Sequence, residues 1–246
     1  DRDVTGVQTC ALPIWEMIGS GMAVAVVEFN QRLMPRQLDE AASLRLQELM
    51  VDKGVQLCLG VATDEILGDG QVTGVKLSDG TVLEADLVLL STGVRPNVEL
   101  AQEAGIEVAQ GIVVDDNMHT SVNDVYAVGD VAQFGERPVG LWPVSMEMGR
   151  IAGAAAAGDW VEYKQPLIST MLVAFDREIF SIGEVNLSSE ECRIVEVIDP
   201  VEKYYKKSYI KDGVLVGEII IAPKVDTSES IRNLGRDKSG KKHYKR

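Results

Sequence analysis

A short β-prone apolar run that ends in an acid and is followed by an amphipathic helix is the feature that most constrains this chain. The run covers residues 22–27, and Glu28 closes it. From residue 38 to residue 53, apolar residues recur every three or four positions, which predicts a helix with Asp39 in its first turn and Gly54 at its stop. A buried strand followed by such a helix is typical of a parallel βαβ unit, so we predict an α/β fold.

The pattern changes farther along the chain. From Val61 onward, short extended runs separated by residues 68–70 and 78–80 predict a small antiparallel meander. Residues 86–90 are apolar again and are predicted to form a buried strand. Residues 91–96 then redirect the chain at a proline, and we place a crossing between domains there.

Beyond the crossing, two extended segments flank residues 120–124, and a helix rich in alanine and methionine is predicted from about residue 144 to residue 158. Aromatic residues and β-prone segments dominate after residue 166. They predict a separate small α+β domain, closed by a helix near residues 228–234.

Composition excludes several classes of partner. The formal net charge of −14 argues against nucleic acid, because phosphate binding requires a basic surface. The apolar runs are shorter than the roughly 20 residues that cross a bilayer, so no membrane partner is expected. The three cysteines are too far apart in sequence for a zinc site or a redox pair, so no metal site is predicted and a reducing cytoplasm fits.

The two ends of the chain differ from the rest. Residues 236–246 form a basic tail that we interpret as a solvated, disordered end, with a surface for an acidic electron-transfer partner as the alternative. Residues 1–14 show neither a secretory pattern nor a clean helical or strand period. Residues 4–14 resemble the translation of a sequencing adapter joined in frame, so we interpret residues 1–14 as a non-native segment in which Cys10 carries no chemistry.

A glycine and an aspartate at the end of an apolar strand mark the first candidate site. Residues 125–130 read Val-Tyr-Ala-Val-Gly-Asp. Gly129 allows the backbone to approach a ligand closely, and the carboxylate of Asp130 can accept hydrogen bonds from sugar or polyol hydroxyls. Taken alone, such a pair also closes ordinary turns.

Two motifs in this order resemble the FAD-dependent pyridine nucleotide-disulfide oxidoreductase superfamily. Residues 120–130 resemble its second flavin motif, a threonine followed by an aliphatic-Tyr-Ala-x-Gly-Asp strand. Residues 91–97, which read Ser-Thr-Gly-Val-Arg-Pro-Asn, resemble its crossover from the nicotinamide domain back to the flavin domain. The resemblance implies binding of FAD, and it makes Thr92, Gly93 and Arg95 cofactor-binding candidates beside Gly129 and Asp130.

The same resemblance implies the domain organisation. Residues 15–92 would form a partial NAD-binding domain and residues 93–165 the second half of the FAD-binding domain, both Rossmann-like with three layers. Residues 166–235 would form the small α+β carboxyl-terminal domain. The glycine-rich turns that bind the two pyrophosphates in relatives would precede Trp15, so the chain is expected to be an amino-terminally truncated fragment that binds FAD weakly or not at all and is inactive by itself.

The start of the alanine-rich helix is a further candidate. Helix amino-termini carry unpaired N–H groups and the positive end of the dipole, which stabilise negative charge. In relatives this helix start faces the pyrimidine edge of the flavin, so the resemblance assigns Pro143 and the backbone of Val144 there, with Trp142 near the ring. The alternative is an ordinary helix start with a proline and a buried tryptophan.

Glu28 lies where dinucleotide-binding domains place an acid that binds the adenosine ribose hydroxyls. This predicts NADH rather than NADPH, because an acid repels a 2′-phosphate, although Arg32 and Arg36 keep the question open. Residues 32–39 also resemble a run in the NADH-dependent rubredoxin and nitrite reductase branch of the superfamily, as does the carboxyl-terminal domain.

The resemblance implies an oxidoreductase that passes electrons from NADH through FAD to a small redox acceptor, such as rubredoxin or a nitrite reductase module. It also allows a homodimer. The sequence assigns no catalytic residue. Two alternatives stay open, a thiol-dependent NADH oxidase or peroxidase and a non-catalytic flavin-binding module.

Overall fold

The structure is a computed structural model that describes residues 7–201 and 203–236. The chain divides into two compact units, one formed by the residues up to Gly93 together with those from Ile168 onward, and the other by Val94–Leu167. The division falls inside the segment where we place the domain crossing. Most of the predicted basic tail and the first six residues of the predicted non-native segment lie outside the described residues.

The first unit begins with a helix and a short parallel sheet. Helix α1 (Val7–Gly19) precedes strand β1 (Ala25–Glu28), and helix α2 (Glu40–Asp52) connects β1 to the parallel strand β2 (Gln56–Leu59). The predicted βαβ order is therefore present. Helix α1 crosses residue 14 although the sequence there shows no clean helical period, and the non-native origin of residues 1–14 stays a prediction.

Two details of this region correct the sequence analysis. Strand β1 begins at Ala25 rather than Met22 and is only partly buried, because β2 is its one pairing partner among the described strands. Asp39 lies just before α2 rather than in its first turn. Its side chain accepts a hydrogen bond from the backbone N–H of Ala42 at 2.9 Å, which satisfies one of the unpaired donors of the first turn.

The predicted meander follows as strands β3 (Thr63–Gly68), β4 (Val72–Leu77) and β5 (Val82–Glu84), paired antiparallel in that order. The predicted buried strand at residues 86–90 is wrong. This segment pairs with none of the described strands, and Leu87 and Leu90 are 65% and 64% exposed. Apolar β-prone residues form a strand only where a neighbouring strand accepts and donates their backbone hydrogen bonds.

The second unit contains helix α3 (Glu99–Glu103), the short parallel strands β6 (Ile112–Val113) and β7 (Ala132–Gln133), and helix α4 (Trp142–Ala156). The strand predicted before Gly129 is reduced to a single bridge between His119 and Tyr126. Residues Gly129–Val131 then form one 3₁₀ turn. Helix α4 begins two residues earlier than predicted.

The carboxyl-terminal domain is a five-stranded antiparallel sheet of strands β8 (Ser169–Ala174), β9 (Arg177–Gly183), β10 (Arg193–Asp199), β11 (Tyr204–Lys211) and β12 (Val214–Ala222). The strand order is β10-β11-β12-β9-β8. Helix α5 (Ser228–Asn233) follows, as predicted. The predicted fold class, an α/β Rossmann-like region followed by a small carboxyl-terminal domain, is confirmed.

This domain is separate in sequence but shares a core with the first part of the chain. One face of the sheet packs against α1, α2 and the segment between β1 and α2, and fully buried side chains come from both sides. Burial stabilises each by about 1.5 to 3 kcal/mol. The largest of them are Leu33, Met34, Leu38, Leu46, Met50, Phe175, Tyr205 and Tyr209.

None of the helices in the described part of the chain is long and apolar enough to cross a membrane.

Candidate functional site

The predicted flavin site is built around the 3₁₀ turn that begins at Gly129. Gly129 has a φ of +77°, a left-handed conformation that glycine adopts without strain. A Cβ added at Gly129 would lie 3.7 Å from the hydroxyl of Ser145, so the conformation rather than crowding requires glycine. The turn leaves the next residue, Asp130, with an exposed side chain.

Asp130 is held by a residue that the sequence analysis did not select. The hydroxyl of Ser145 donates a hydrogen bond to Oδ1 of Asp130 at 3.1 Å. This contact orients the carboxylate and leaves Oδ2 for a ligand, because a carboxylate accepts several hydrogen bonds. The only sequence signal for Ser145 is its position one turn into the helix that follows the Gly-Asp loop.

The first turn of α4 lies beside this carboxylate. Leu141 is extended and makes no side-chain capping hydrogen bond, so the first-turn N–H groups have neither an intrahelical acceptor nor this common substitute. Pro143 lacks an N–H, which leaves those of Trp142 and Val144. A helix of 15 residues directs the positive end of its dipole to this point.

The two side chains at the helix start have opposite environments. Val144 is 3% exposed and anchors the first turn, whereas Trp142 is 79% exposed. The alternative that Trp142 is a buried core residue is therefore wrong. An exposed indole next to a positive helix end is a surface on which a planar ring can stack.

Glu28 forms a second group in the other unit. Its side chain is 4% exposed, and Oε1 accepts hydrogen bonds from the backbone N–H of Asn30 at 2.8 Å and from its Nδ2 at 2.6 Å. Its carbonyl accepts from the N–H of Gly60 at 2.9 Å at the end of the parallel pair. Asn30, also missed by the sequence analysis, thus fixes the orientation of this acid.

The crossover residues are divided between the two units. Thr92 and Gly93 are exposed and belong to the unit of Glu28, and Gly93 has a φ of +82°. Arg95 is exposed and belongs to the unit of Asp130. The structure therefore brings Gly129, Asp130 and the start of α4 together, and places Glu28 in the other unit.

The residues of the second unit fit the ribityl and pyrimidine part of a flavin. An oriented carboxylate suits polyol hydroxyls, a left-handed glycine leaves the backbone bare, and a helix amino-terminus suits an electron-rich ring edge. Parallel strands joined by a helix, with an acid at a strand end, fit the ribose of a dinucleotide. Fold and site together define a dinucleotide-binding α/β protein with an appended antiparallel domain.

Comparison with known families identifies this class further. The chain belongs to the pyridine nucleotide-disulphide oxidoreductase family, which matches residues 4–149. Residues 169–235 match the rubredoxin NAD+ reductase carboxyl-terminal domain. The predicted superfamily and its rubredoxin and nitrite reductase-like branch are confirmed.

Relatives of this chain are oxidoreductases that are longer than it is. A nitrite reductase [NAD(P)H] of Bacillus subtilis is 36% identical over 217 residues, which are 88% of this chain and 26% of that protein. An NADH-rubredoxin oxidoreductase of Clostridium acetobutylicum is 25% identical over 89% of this chain and 56% of its own length. The chain thus spans between about a quarter and just over half of these relatives.

A solved structure also matches. The ferredoxin reductase for the CYP199A2 system from Rhodopseudomonas palustris superposes with a TM-score of 0.74 at 29% identity, and the match covers 85% of this chain and 52% of that one.

Proposed function

We propose that the protein carrying this chain is an NADH-dependent flavoprotein that passes electrons through FAD to a small redox acceptor, such as rubredoxin or a nitrite reductase module. The observation that carries the proposal is the Asp130 carboxylate, oriented by Ser145 beside the uncapped start of α4. The match of residues 169–235 to a rubredoxin reductase domain supports the acceptor class.

Each residue of this site has a separate task. Asp130 accepts hydrogen bonds from ribityl hydroxyls, and Ser145 keeps its carboxylate in one orientation. The N–H groups of Trp142 and Val144 would hold the pyrimidine edge of the flavin and would favour negative charge there. When bound, FAD supplies the redox chemistry, since it accepts a hydride from a nicotinamide and releases electrons one at a time.

Glu28 supports the choice of NADH. Its carboxylate, held by Asn30, has a second oxygen that can accept hydrogen bonds from ribose hydroxyls. The same negative charge disfavours a 2′-phosphate. In this proposal Thr92, Gly93 and Arg95 are further cofactor-binding residues; a homodimer and a cytoplasmic location remain predictions.

The proposal is tested by replacing Asp130 with alanine in the protein that carries this chain. Loss of hydrogen bonds to a charged acceptor costs about 1.5 to 3 kcal/mol, so FAD affinity should fall roughly 10- to 100-fold. Asp159→Ala is the matched control, because Asp159 is an exposed aspartate of the same unit. Equal FAD affinity in the two variants would refute the assignment of Asp130.

Electron flow is tested separately with the unsubstituted protein. Anaerobic NADH should bleach the flavin absorbance, and added oxidised rubredoxin should restore it in one-electron steps. A flavin that NADH leaves oxidised would instead support a non-catalytic module. Restoration by oxygen or peroxide alone, blocked by a thiol reagent, would support a thiol-dependent oxidase.

A further inference from the structure

The segment between β1 and α2, residues 30–39, is held in place by the carboxyl-terminal domain. We call it the ribose-side loop, because it begins two residues after Glu28. From β9, the hydroxyl of Ser181 donates to the carbonyl of Gln37. From the turn after β9, Nδ2 of Asn186 donates to the carbonyl of Pro35 at 3.0 Å.

The guanidinium of Arg32 takes part in the same contact. Its Nη1 donates to the carbonyl of Leu38, and its Nη2 donates to the carbonyl of Pro35 and to Oδ1 of Asn186, both at 3.0 Å. An arginine only donates and a carbonyl only accepts, so these contacts fix the orientation of the Asn186 amide as well. Asn186 therefore bridges the side chain of Arg32 and the backbone of Pro35.

The ribose-side loop is tightly determined by its surroundings. Leu33 and Leu38 are fully buried, and Met34 is 2% exposed with a φ of +49°. A left-handed methionine costs of order 1 to 3 kcal/mol and persists only where other contacts impose it. The buried side chains thus hold the backbone of the loop, whereas hydrogen bonds hold the guanidinium of Arg32.

This arrangement bears on the choice of coenzyme. Dinucleotide-binding domains that accept NADPH bind its 2′-phosphate with an arginine near the position of the acid after the strand. Arg32 lies four residues after Glu28 and is a candidate for that role. Its guanidinium is instead committed to two carbonyls and to Asn186.

We propose that Asn186 is a specificity-determining positioning residue: by binding Arg32 and Pro35, the carboxyl-terminal domain withholds the Arg32 guanidinium from a 2′-phosphate and thereby favours NADH. The inference rests on the proposed function, because it requires that Glu28 binds the ribose. The carboxyl-terminal domain would then take part in coenzyme selection as well as in recognition of the electron acceptor.

The test compares Asn186→Leu with Asn186→Asp. Leucine removes both hydrogen bonds at similar volume, whereas aspartate keeps an acceptor for Arg32 and adds a negative charge. With one hydrogen bond worth about 0.5 to 1.5 kcal/mol, the Kd for NADPH relative to NADH should fall roughly three- to tenfold in Asn186→Leu and rise in Asn186→Asp. Asn233→Leu, an exposed asparagine of the same domain, is the control.

A second substitution, made at an arginine in the Asn186→Leu variant, identifies the group that Asn186→Leu releases. Adding Arg32→Met to Asn186→Leu should abolish the gain in NADPH affinity, whereas adding Arg36→Met should leave that gain unchanged. Without coenzyme, hydrogen exchange of the amides of the ribose-side loop should accelerate in Asn186→Leu and not in Asn233→Leu. This readout is independent of any bound nucleotide.

The outcomes separate the two proposals. A Kd ratio that Asn186→Leu leaves unchanged, while NADH still binds, overturns the role of Asn186 alone. A gain that survives Arg32→Met or disappears with Arg36→Met also overturns it. If the unsubstituted protein binds neither coenzyme, the proposed function fails, and the inference fails with it.

Discussion

Replacing Asp39 with alanine is expected to destabilise the first unit by about 3 kcal/mol, because three partners share its carboxylate. Asp39 is 8% exposed and caps α2 through the N–H of Ala42. Loss of such a cap costs about 1 kcal/mol. The same carboxylate accepts a hydrogen bond from the hydroxyl of Tyr209 at 3.0 Å and pairs with Nζ of Lys207.

The two partners respond differently to the loss of Asp39. Tyr209 is fully buried, so its hydroxyl would remain without an acceptor, which costs about 1 to 3 kcal/mol. Burial and the nearby Asp39 charge both raise the pKa of Tyr209, so the hydroxyl stays protonated and needs that acceptor. Lys207 keeps 17% of its side chain exposed and can turn toward solvent, so the loss of its ion pair costs less than the loss of the tyrosine's acceptor.

Urea unfolding followed by tryptophan emission measures this cost. Trp15 lies edge-on to Phe175 with ring centroids 5.5 Å apart, whereas Trp142 and Trp160 are 79% and 87% exposed. The emission shift on unfolding therefore reports mainly on Trp15, which belongs to the core shared by α1 and the sheet.

Two controls accompany this measurement. Asp39→Asn keeps one oxygen that can accept from the N–H of Ala42, but its NH2 group cannot accept from the hydroxyl of Tyr209, so this variant should keep the cap and lose about 2 kcal/mol. Asp64→Ala, on an exposed strand position, should be neutral. If Asp39→Ala lowered the free energy of unfolding by less than about 1 kcal/mol, the reasoning about a shared buried acceptor would be wrong.

Three further substitutions and reactions test other parts of the structure. Gly129→Ala should destabilise the folded state by about 1 to 2 kcal/mol, because alanine is strained at the left-handed φ of this position. Thermal unfolding measures the change, and a neutral result would contradict that conformation. Burial, and to a lesser extent the charge of Asp79, raise the pKa of the Cys58 thiol. Alkylation of Cys58, followed by peptide mass spectrometry, should therefore reach half its maximal rate above pH 8.5, the usual thiol value, and a midpoint below that would refute the burial. Glu218→Ala should accelerate hydrogen exchange in α5 and lower the free energy of unfolding by about 3 kcal/mol, because the buried Glu218 carboxylate accepts a hydrogen bond from the hydroxyl of Ser230 in that helix. Unchanged exchange would show that this hydrogen bond does not hold α5 in place.

Local patterns in the sequence predicted the elements whose partners are nearby. Helix α2, the meander of β3 to β5 and helix α4 follow from periodicity and turn residues within a few positions of each element. The strands predicted at residues 22–24 and 86–90 did not form, since strand pairing depends on neighbours that the local pattern does not specify.

The candidate site shows the same limit. Gly129 and Asp130 were found because glycine and aspartate have recognisable local chemistry. Ser145 and Asn186 were missed, because each acts through a contact with a residue 15 or 154 positions away. No periodicity or spacing records such a contact, and only the folded chain shows it.

The core that the ribose-side loop shares with the carboxyl-terminal sheet has a consequence for protein engineering. A chimaera that exchanged only residues 169–235 for those of a relative would set foreign side chains against native Leu33, Met34 and Leu38. Recombination of this chain with a relative therefore needs a discontinuous module, in which residues 30–39 are exchanged together with the sheet. An exchange designed to replace the sheet would then also replace the loop that follows Glu28.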